Sequence, residues 1–213
     1  MLVRTWMSTD PITISPKASM HDATTLMREH EIRHLPVVDR GKLVGIVTLS
    51  DIRKASPSAA TTFSIGEVRY LVDQIMVSDI MTKNPQTVTP DTTVEDAALK
   101  GYKHGFGSMP VVDDNGHLVG IITQTDLLQV MMNIFEAGEG DKRITIEGMP
   151  QELGAVRKII DVLDGHQTRF SSILVFPQKQ AGLYTYLIRI RTDDVAPLVA
   201  DLKAGGFPVT HVS

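Results

Sequence analysis

The segment Gly45-Ile-Val-Thr-Leu-Ser-Asp51 returns later in the chain as Gly120-Ile-Ile-Thr-Gln-Thr-Asp126. Each copy passes from an apolar run, which predicts a buried strand, into a Thr-x-x-Asp pattern, which predicts the first turn of a helix. The similarity continues upstream, where Met7–Pro16 matches Met81–Pro90. The offset between the copies is constant up to Asn115, where the second copy has one extra residue. The sequence therefore contains two copies of one structural unit.

Each copy predicts a strand, a helix, two strands joined by a hairpin, and a final helix. Ile12–Ile14 is the first predicted strand, and Ser19, with Asp22 three positions later, predicts the N-cap of the helix that follows. The apolar runs Leu35–Val38 and Leu43–Val47 predict the hairpin. A unit of about 50 residues buries too little apolar surface to be stable alone, so we expect the copies to pack together.

The last third of the chain has a different pattern, in the order βαββαβ, which is typical of a ferredoxin-like domain. Together with the two βαββα repeats, it indicates a mixed fold class, α+β or α/β. The predicted boundaries are residues 1–53 for the first repeat, 54–76 for a linker and connecting helix, 77–136 for the second repeat, 137–141 for a second linker, and 142–213 for the C-terminal domain.

The composition narrows the classes of function. The 213 residues carry 21 Lys and Arg against 25 Asp and Glu, a net charge of −4, with no basic run that would favour nucleic acid or an anionic membrane. Cys is absent, which excludes disulfides and thiolate metal sites. No signal segment and no run of about 18 apolar residues is present. We therefore expect a cytoplasmic protein that binds neither nucleic acid nor a membrane.

One motif suggests a metalloenzyme. His30-Glu-Ile-Arg-His34 fits the H-E-x-x-H pattern of zinc proteases, which needs both histidines on one face of a continuous helix. Leu35-Pro36 follows directly, and proline disfavours helical geometry in the residue before it. The second copy has His104-Gly-Phe-Gly-Ser108 at this place, whose glycines also indicate a helix end. Since no P-loop, dinucleotide fingerprint or nucleophile elbow is present, we expect no metal, no catalytic residues and no enzyme activity.

The repeated strand-to-helix junction has two interpretations. In the first, Thr48 and Asp51 only cap the helix. In the second, the free N–H groups and hydroxyls at the helix start meet an anion, and the carboxylate accepts hydrogen bonds from both hydroxyls of a ribose. Gly45 would then leave room for a ligand to approach the backbone. The residue pattern by itself leaves both interpretations open.

With these motifs, the two repeats resemble tandem CBS domains, the pair called a Bateman module, over residues 1–53 and 77–128. The resemblance implies a regulatory protein that binds AMP, ADP, ATP or a related adenosyl compound in the cleft between the repeats and performs no chemistry. S-adenosylmethionine, a cyclic dinucleotide or NAD would need similar binding groups on the protein. No resident cofactor is implied, although a polyphosphate ligand would bring Mg²⁺.

In that family the Gly-x-x-Thr-x-x-Asp segment resembles the adenosine site, with the acid on the ribose and the hydroxyls towards the phosphate. The first-strand segment would line the adenine pocket, and the second strand would form its apolar wall. In the first repeat these roles imply Thr13, Ile14, Leu35, Pro36, Val37, Gly45, Thr48, Ser50 and Asp51, to which the charge of Arg33 adds a candidate beside the phosphate. In the second repeat they imply Thr87, Val88, Met109, Pro110, Val111, Gly120, Thr123, Thr125 and Asp126.

The two copies differ in charge near this motif. The first has Arg33-His34 where the second has Gly107-Ser108. Cations beside a phosphate add charge-assisted hydrogen bonds. We therefore expect the site of the first repeat to prefer the more highly charged nucleotide.

Residues 142–213 resemble an ACT domain, a small regulatory fold, and the whole chain is similar to the acetoin-utilisation type of CBS regulator. The ACT family binds amino acids beside a Pro-Gly turn before its first helix, and Leu153-Gly154 stands at that place, which makes Gly154 the candidate amino-acid-binding residue. Both domain types associate within their families, which implies a homodimer. Besides nucleotide sensing with transmission to the ACT-like domain or a protein partner, two alternatives stay open: a structural interaction module with vestigial sites, and an amino-acid sensor.

Overall fold

The computed structural model describes residues 1–56, 74–135, 141–150 and 152–213. The chain divides into two compact units, Met1–Val130 and Met131–Ser213. The connecting helix predicted over residues 64–76 falls mostly outside the described residues. The first unit begins with a 3-10 turn at Val3–Thr5, and its elements are β1 Ser8–Thr9, α1 Met20–Glu29, β2 His34–Asp39, β3 Lys42–Thr48, α2 Leu49–Ala55, α3 Val77–Ile80, β4 Thr82–Lys83, α4 Val94–His104, β5 Ser108–Val112, β6 Leu118–Thr123 and α5 Gln124–Phe135, which runs past Val130.

The predicted N-cap of α1 is confirmed as a reciprocal capping box. Ser19 Oγ accepts the N–H of Asp22 at 3.0 Å, and the Asp22 carboxylate accepts the N–H of Ser19 at 2.9 Å. These bonds satisfy N–H groups that have no partner inside the helix. They also lower the pKa of Asp22, with the bond from the Ser19 backbone as the largest cause. In the second repeat, Thr93 Oγ1 accepts the N–H of Asp96 at 3.0 Å.

The predicted hairpin of the first repeat is also confirmed, because β2 and β3 pair in antiparallel register. Its two turn residues, Arg40 and Gly41, have positive φ angles of 48° and 80°. Two consecutive positive φ angles define the type I′ turn, whose twist matches that of paired strands. In the second repeat β5 and β6 pair in the equivalent register.

The two repeats exchange short strands. β1, from the first repeat, pairs antiparallel with β6 of the second, and β4, from the second repeat, pairs antiparallel with β3 of the first. The resulting three-stranded sheets have the orders β1-β6-β5 and β2-β3-β4. Each sheet is therefore completed by residues that the sequence assigns to the other copy.

The same exchange completes the two hydrophobic cores. Val3 is fully buried in the core of the second repeat, together with Val88 and Met109. At the equivalent position, Val77 is fully buried in the core of the first repeat. Since neither core closes without a segment of the other copy, the expectation that the copies pack together is confirmed.

The predicted strand Ile12–Ile14 differs from the structure. Only Ile14 forms a bridge, parallel to Val37, in which its N–H donates to the carbonyl of Pro36 at 3.0 Å and its carbonyl accepts from Val38 at 2.9 Å. Prolines at positions 11 and 16 flank the segment, and proline has no N–H for a ladder and a fixed φ. The apolar run is therefore too confined to extend into a strand.

The second unit has the predicted order βαββαβ. Its elements are β7 Asp141–Pro150, α6 Ala155–Gly165, β8 Arg169–Pro177, β9 Leu183–Arg191, α7 Ala196–Ala204 and β10 Val209–Val212. The strands form one antiparallel sheet in the order β10-β7-β9-β8. Asp141, expected in the linker, is the first residue of β7. The first helix, α6, begins at Ala155, after Gly154 as N-cap with a φ of 83°.

One face of this sheet carries the core of the second unit. Ile144 of β7 and Ile188 of β9 are fully buried against Ile159 of α6 and Leu202 of α7. Tyr186 of β9 is also buried in this core. The opposite face of the sheet carries the residues that alternate with these.

Candidate ligand sites at the strand-to-helix junctions

The junction of the first repeat is a capping box between Thr48, the last residue of β3, and Asp51 in the first turn of α2. The Thr48 N–H and hydroxyl both donate to Asp51 Oδ2, at 2.9 and 2.7 Å, and Thr48 Oγ1 accepts the N–H of Asp51 at 3.3 Å. The threonine hydroxyl is therefore engaged both as donor and as acceptor. The capping interpretation of this residue pair is confirmed.

The junction of the second repeat has the same arrangement. The N–H and hydroxyl of Thr123 donate to Asp126 Oδ2 at 2.7 and 2.8 Å, and Thr123 Oγ1 accepts the N–H of Asp126 at 3.3 Å. Within the described part of the chain, all these bonds use only one carboxylate oxygen, so Oδ1 of each aspartate is left for a further donor. A carboxylate with one fixed and one open oxygen can accept the hydroxyls of a sugar.

The remaining hydroxyls of the two junctions lie beside the aspartates. Ser50 and Thr125 are exposed, and no hydrogen bond joins either side chain to another described residue. Since Thr48 and Thr123 are held by their caps, Ser50 and Thr125 are the hydroxyls that a ligand could reach without breaking a helix start.

The predicted apolar wall of the first site divides between two faces of β2. Leu35 and Val37 are fully buried in the core beneath α1, while Pro36, between them, points to the other face, as alternation along a strand requires. Ile14 is also buried in the core, and Thr13 beside it is exposed. Thr13 and Pro36 therefore point away from the core of the repeat, and of these two only Thr13 is exposed, because Pro36 is itself buried.

The second repeat places the matching residues in the same way. Met109 and Val111 lie in the core of the repeat, and Pro110 points to the other face of β5. Val88 is buried and bridges Val111, and the carbonyl of Thr87 accepts a hydrogen bond from Lys100 at 2.8 Å.

The structure shows why glycine stands at positions 45 and 120 of the motif, for a reason that the sequence did not reveal. An added Cβ on Gly45 would lie 2.5 Å from the sulfur of Met81 and 3.1 Å from the carbonyl of Thr82. On Gly120 it would lie 2.6 Å from the sulfur of Met7 and 2.9 Å from the carbonyl of Ser8. The glycines therefore make room for the exchanged strands, and their role towards a ligand stays a prediction.

Arg33 and His34, beside the first site, differ in exposure and in charge. Arg33 is exposed, whereas His34 is half-buried. Burial lowers the pKa of His34, the charge of Arg33 lowers it further, and the Asp51 carboxylate opposes both. His34 is therefore neutral at pH 7, and only Arg33 brings a positive charge from this pair. The His34 ring faces the second repeat, since an added Cβ on Gly107 would lie 3.2 Å from its Nε2.

A small groove adjoins the second junction. It has a volume of about 130 Å³. Its lining consists of Tyr102 of α4, Phe106, Met109 of β5, Thr123 of β6, Leu127 of α5 and six further residues of the same repeat. Sites for small molecules have volumes of roughly 300–1,000 Å³. The groove can hold an apolar group of a ligand but not a whole nucleotide.

The zinc-protease pattern does not form a metal site. α1 ends at Glu29, and His34 is the first residue of β2, so His30 and His34 do not share a helix face. Across residues 1–56, 74–135, 141–150 and 152–213, no three acidic or histidine side chains come together as metal ligands. No helix in the same ranges has the length and apolar character needed to cross a membrane.

Comparison with known proteins identifies the repeats. The family model of the CBS domain matches residues 3–58 and 77–133, which is more than half of the chain. The chain belongs to the CBS-domain family. The match ends at residue 133, inside α5, and does not reach the sheet of the second unit.

Among curated relatives, the L-aspartate semialdehyde sulfurtransferase of Methanocaldococcus jannaschii is 37% identical over 127 residues. That similarity covers 59% of this chain and 22% of the enzyme. The inosine-5′-monophosphate dehydrogenase of Korarchaeum cryptofilum is 34% identical over 137 residues, which are 64% of this chain and 26% of the enzyme. The chain therefore spans about a quarter of the length of these relatives.

Solved CBS structures have the same fold. The CBS pair of protein MJ0100, in complex with 5′-methylthioadenosine and S-adenosyl-L-methionine, has a TM-score of 0.53 and 34% identity, over 62% of this chain and 97% of that one. CBSX2 in complex with AMP has a TM-score of 0.53 and 29% identity, over 63% and 98%. A putative acetoin utilization protein (AcuB) from Vibrio cholerae has a TM-score of 0.53 and 31% identity, over 64% and 93%.

Proposed function

We propose that this protein is a non-catalytic regulator that binds an adenosyl ligand at one or both Thr-x-x-Asp junctions. The observation that supports it most directly is the identical state of Asp51 and Asp126, each with one oxygen held by its cap and the other open. Two similar CBS pairs were solved with adenosyl compounds, namely AMP, S-adenosyl-L-methionine and 5′-methylthioadenosine.

In this proposal each part of the ligand has its own partner. The open oxygen of Asp51 or Asp126 accepts the ribose hydroxyls, and Ser50 or Thr125 donates to a phosphate or an equivalent group. Thr13 and Pro36 of the first repeat, with Thr87 and Pro110 of the second, lie beside the base. Leu35, Val37, Met109 and Val111 act through the backbone and the rigid core behind it, because their side chains pack inside the cores of the repeats.

Arg33 gives the first site a preference for the more highly charged nucleotide. It is exposed in the first repeat, where the second has Gly107, and a guanidinium can donate two parallel hydrogen bonds to a phosphate. A polyphosphate would bring its own Mg²⁺, bound between phosphate oxygens rather than by a protein cluster.

Regulation requires a ligand that binds two conformations with different affinity. We propose that occupancy of the junctions acts on the C-terminal unit or on a partner protein. The order βαββαβ and the sheet order of the second unit fit an ACT domain, and Gly154, with its positive φ at the start of α6, is the position where an amino acid would bind. The enzymes among the relatives are matched over only 22% and 26% of their length, which supports a shared regulatory part rather than a shared catalytic one.

The direct test is calorimetric titration of the full chain with AMP, ADP, ATP and S-adenosylmethionine. Asp51→Ala and Asp126→Ala are each expected to weaken binding at their own site by about ten-fold or more, since a hydrogen bond to a charged group contributes roughly 1.5–3 kcal/mol. Asp22→Ala and Asp96→Ala remove the same kind of cap at the other helix starts of the two repeats. These matched controls should leave binding unchanged.

Two results would reject the proposal. One is the absence of binding heat and of a thermal shift with each of the four compounds at millimolar concentration. The other is an equal loss of affinity in Asp22→Ala and Asp51→Ala, because the effect would then come from a frayed helix and not from the ribose contact.

A further inference from the structure

Two arginines of the second unit lie directly opposite each other on neighbouring strands. Arg143 of β7 and Arg189 of β9 are register partners, and Ser172 of β8 is the register partner of Arg189 on its other side. The three residues therefore form one row across three strands of the sheet, which we call the arginine row.

The arginine row lies on the face of the sheet that the unit's own helices leave uncovered. Ile144 and Ile188, which flank the row along β7 and β9, point into the core against α6 and α7. Since successive side chains of a strand point to opposite faces, Arg143 and Arg189 point away from both helices. Ser172 shares their face, because Ile173 after it packs against the core.

Each member of the row has a buried polar atom without a partner. The Nε atoms of Arg143 and Arg189 and the hydroxyl of Ser172 are inaccessible to solvent and form no hydrogen bond with the described residues. No ion pair joins either guanidinium to a carboxylate in these parts of the chain. Buried donors of charged groups without acceptors are costly and rare in folded proteins.

The neighbouring row shows how the same chain neutralises such a charge. Arg191 is the register partner of Asp141, and its Nε lies 3.5 Å from the carboxylate, which also accepts the hydroxyl of Ser171 at 2.7 Å. Asp141 is thus already engaged in its own row. Two like charges directly opposite on adjacent strands destabilise a sheet, so the arginine row lacks the acid that its neighbour has.

We propose that the arginine row is a binding site for a small doubly charged oxyanion, either a phosphate group or a dicarboxylate. Directly opposed residues have Cβ atoms about 5 Å apart, so the two guanidinium groups can converge on one anion with parallel N–H bonds. The Ser172 hydroxyl supplies a third donor to the same group. The site lies on the sheet and does not involve the Thr-x-x-Asp junctions or Gly154.

The test measures binding of inorganic phosphate and, separately, of malonate to the full chain by calorimetry and thermal shift, against chloride at equal ionic strength. The structure predicts binding of at least one of the two, and which one binds identifies the source of the oxyanion. Arg143→Gln and Arg189→Gln are each expected to weaken it by about ten-fold or more. Arg157→Gln, at an exposed position on α6 of the same unit, is the matched control and should bind normally.

A variant with Asp51→Asn and Asp126→Asn separates this site from the proposed nucleotide sites. This variant should keep its affinity for the anion. The proposal for the arginine row can therefore be tested even if the proposed nucleotide binding is rejected. The proposal is overturned if neither anion binds the wild type, or if binding persists in Arg143→Gln and Arg189→Gln. It is also overturned if these two changes alter only the subunit number in native mass spectra, because the face would then be a contact with a second copy.

Discussion

Met81 occupies the space that a side chain on Gly45 would need, with its sulfur 2.5 Å from the position of an added Cβ. Met7 stands in the same relation to Gly120, at 2.6 Å. The most visible motif of the sequence is thus built in part around the exchange of strands between the repeats. It follows that a change at either glycine acts on the contact between the repeats before it acts on a ligand.

The first prediction concerns these glycines. Gly120→Ala is expected to lower the free energy of unfolding by about 1–3 kcal/mol, because overpacking forces backbone shifts. Gly45→Ala should cost less, because the nearest backbone oxygen is 3.1 Å from the added Cβ rather than 2.9 Å. Urea denaturation measures both. Gly165→Ala, where nothing lies within 4 Å of an added Cβ, is the control and should be close to neutral. Equal stability of all three variants would contradict the packing seen here.

The second prediction concerns the two exchanged valines. Val3→Ala and Val77→Ala are each expected to cost about 1–3 kcal/mol, since both side chains are fully buried, each in the core formed mainly by the other copy. Hydrogen exchange after Val3→Ala should accelerate in β5 and β6, and after Val77→Ala in β2 and β3. Acceleration confined to the repeat that carries the mutation in sequence would argue against the exchange.

The third prediction is a dependence of stability on pH through His34. Because burial lowers the pKa of His34 below its ordinary 6.5, the unfolded chain takes up a proton at a higher pH than the folded chain does. Stability is therefore complete above about pH 6.5 and falls as the pH drops below it, until the folded state is protonated as well. Thermal unfolding between pH 7.5 and about 5 should show this slope, reduced in His34→Gln. His21→Gln, at an exposed position on α1, controls for the loss of an imidazole, and an equal reduction there would refute the role of His34.

The fourth prediction concerns the choice of nucleotide. If Arg33 contacts phosphate, Arg33→Gln should reduce affinity for ATP more than for AMP, by about five-fold or more at the first site, since charge-assisted bonds are the stronger ones. Titrations in the Asp126→Ala background report on the first site alone. Arg28→Gln, exposed on α1, is the matched control. An equal loss of affinity for ATP and for AMP would show that Arg33 does not discriminate between nucleotides by their charge.

Local structure followed closely from the sequence wherever the signal lies within a few residues. The Ser19–Asp22 cap, the hairpin turn at Arg40-Gly41 and the order of elements in the second unit all depend on short-range patterns. Ile12–Ile14 was overestimated because an apolar run predicts a strand even where flanking prolines prevent a ladder. The capping role of Thr48 was one of two interpretations, and only the geometry of its hydroxyl separated them.

Features that depend on pairing between distant segments could not be predicted from the sequence. β1 and β4 have only two residues each, too few for a periodic pattern, so their exchange between copies gave no local signal. The role of Gly45 depends on that exchange and was missed for the same reason. The arginine row depends on the register of three strands, including an irregularity between Phe170 and Ser172, and spacing along the chain cannot reveal it. The burial that lowers the pKa of His34 comes from tertiary packing and also has no signal in the local sequence.

The exchanged strands have a consequence for cleavage of the chain. A cut between residues 57 and 73 would break the covalent link between the copies but would not release two independent domains. The fragment ending before the cut would retain β1 in the sheet of its partner, and the fragment after it would retain β4 in return. The nicked protein should behave as a pair of complementary fragments that reassemble on mixing, because each fragment supplies the strand that completes the sheet of the other.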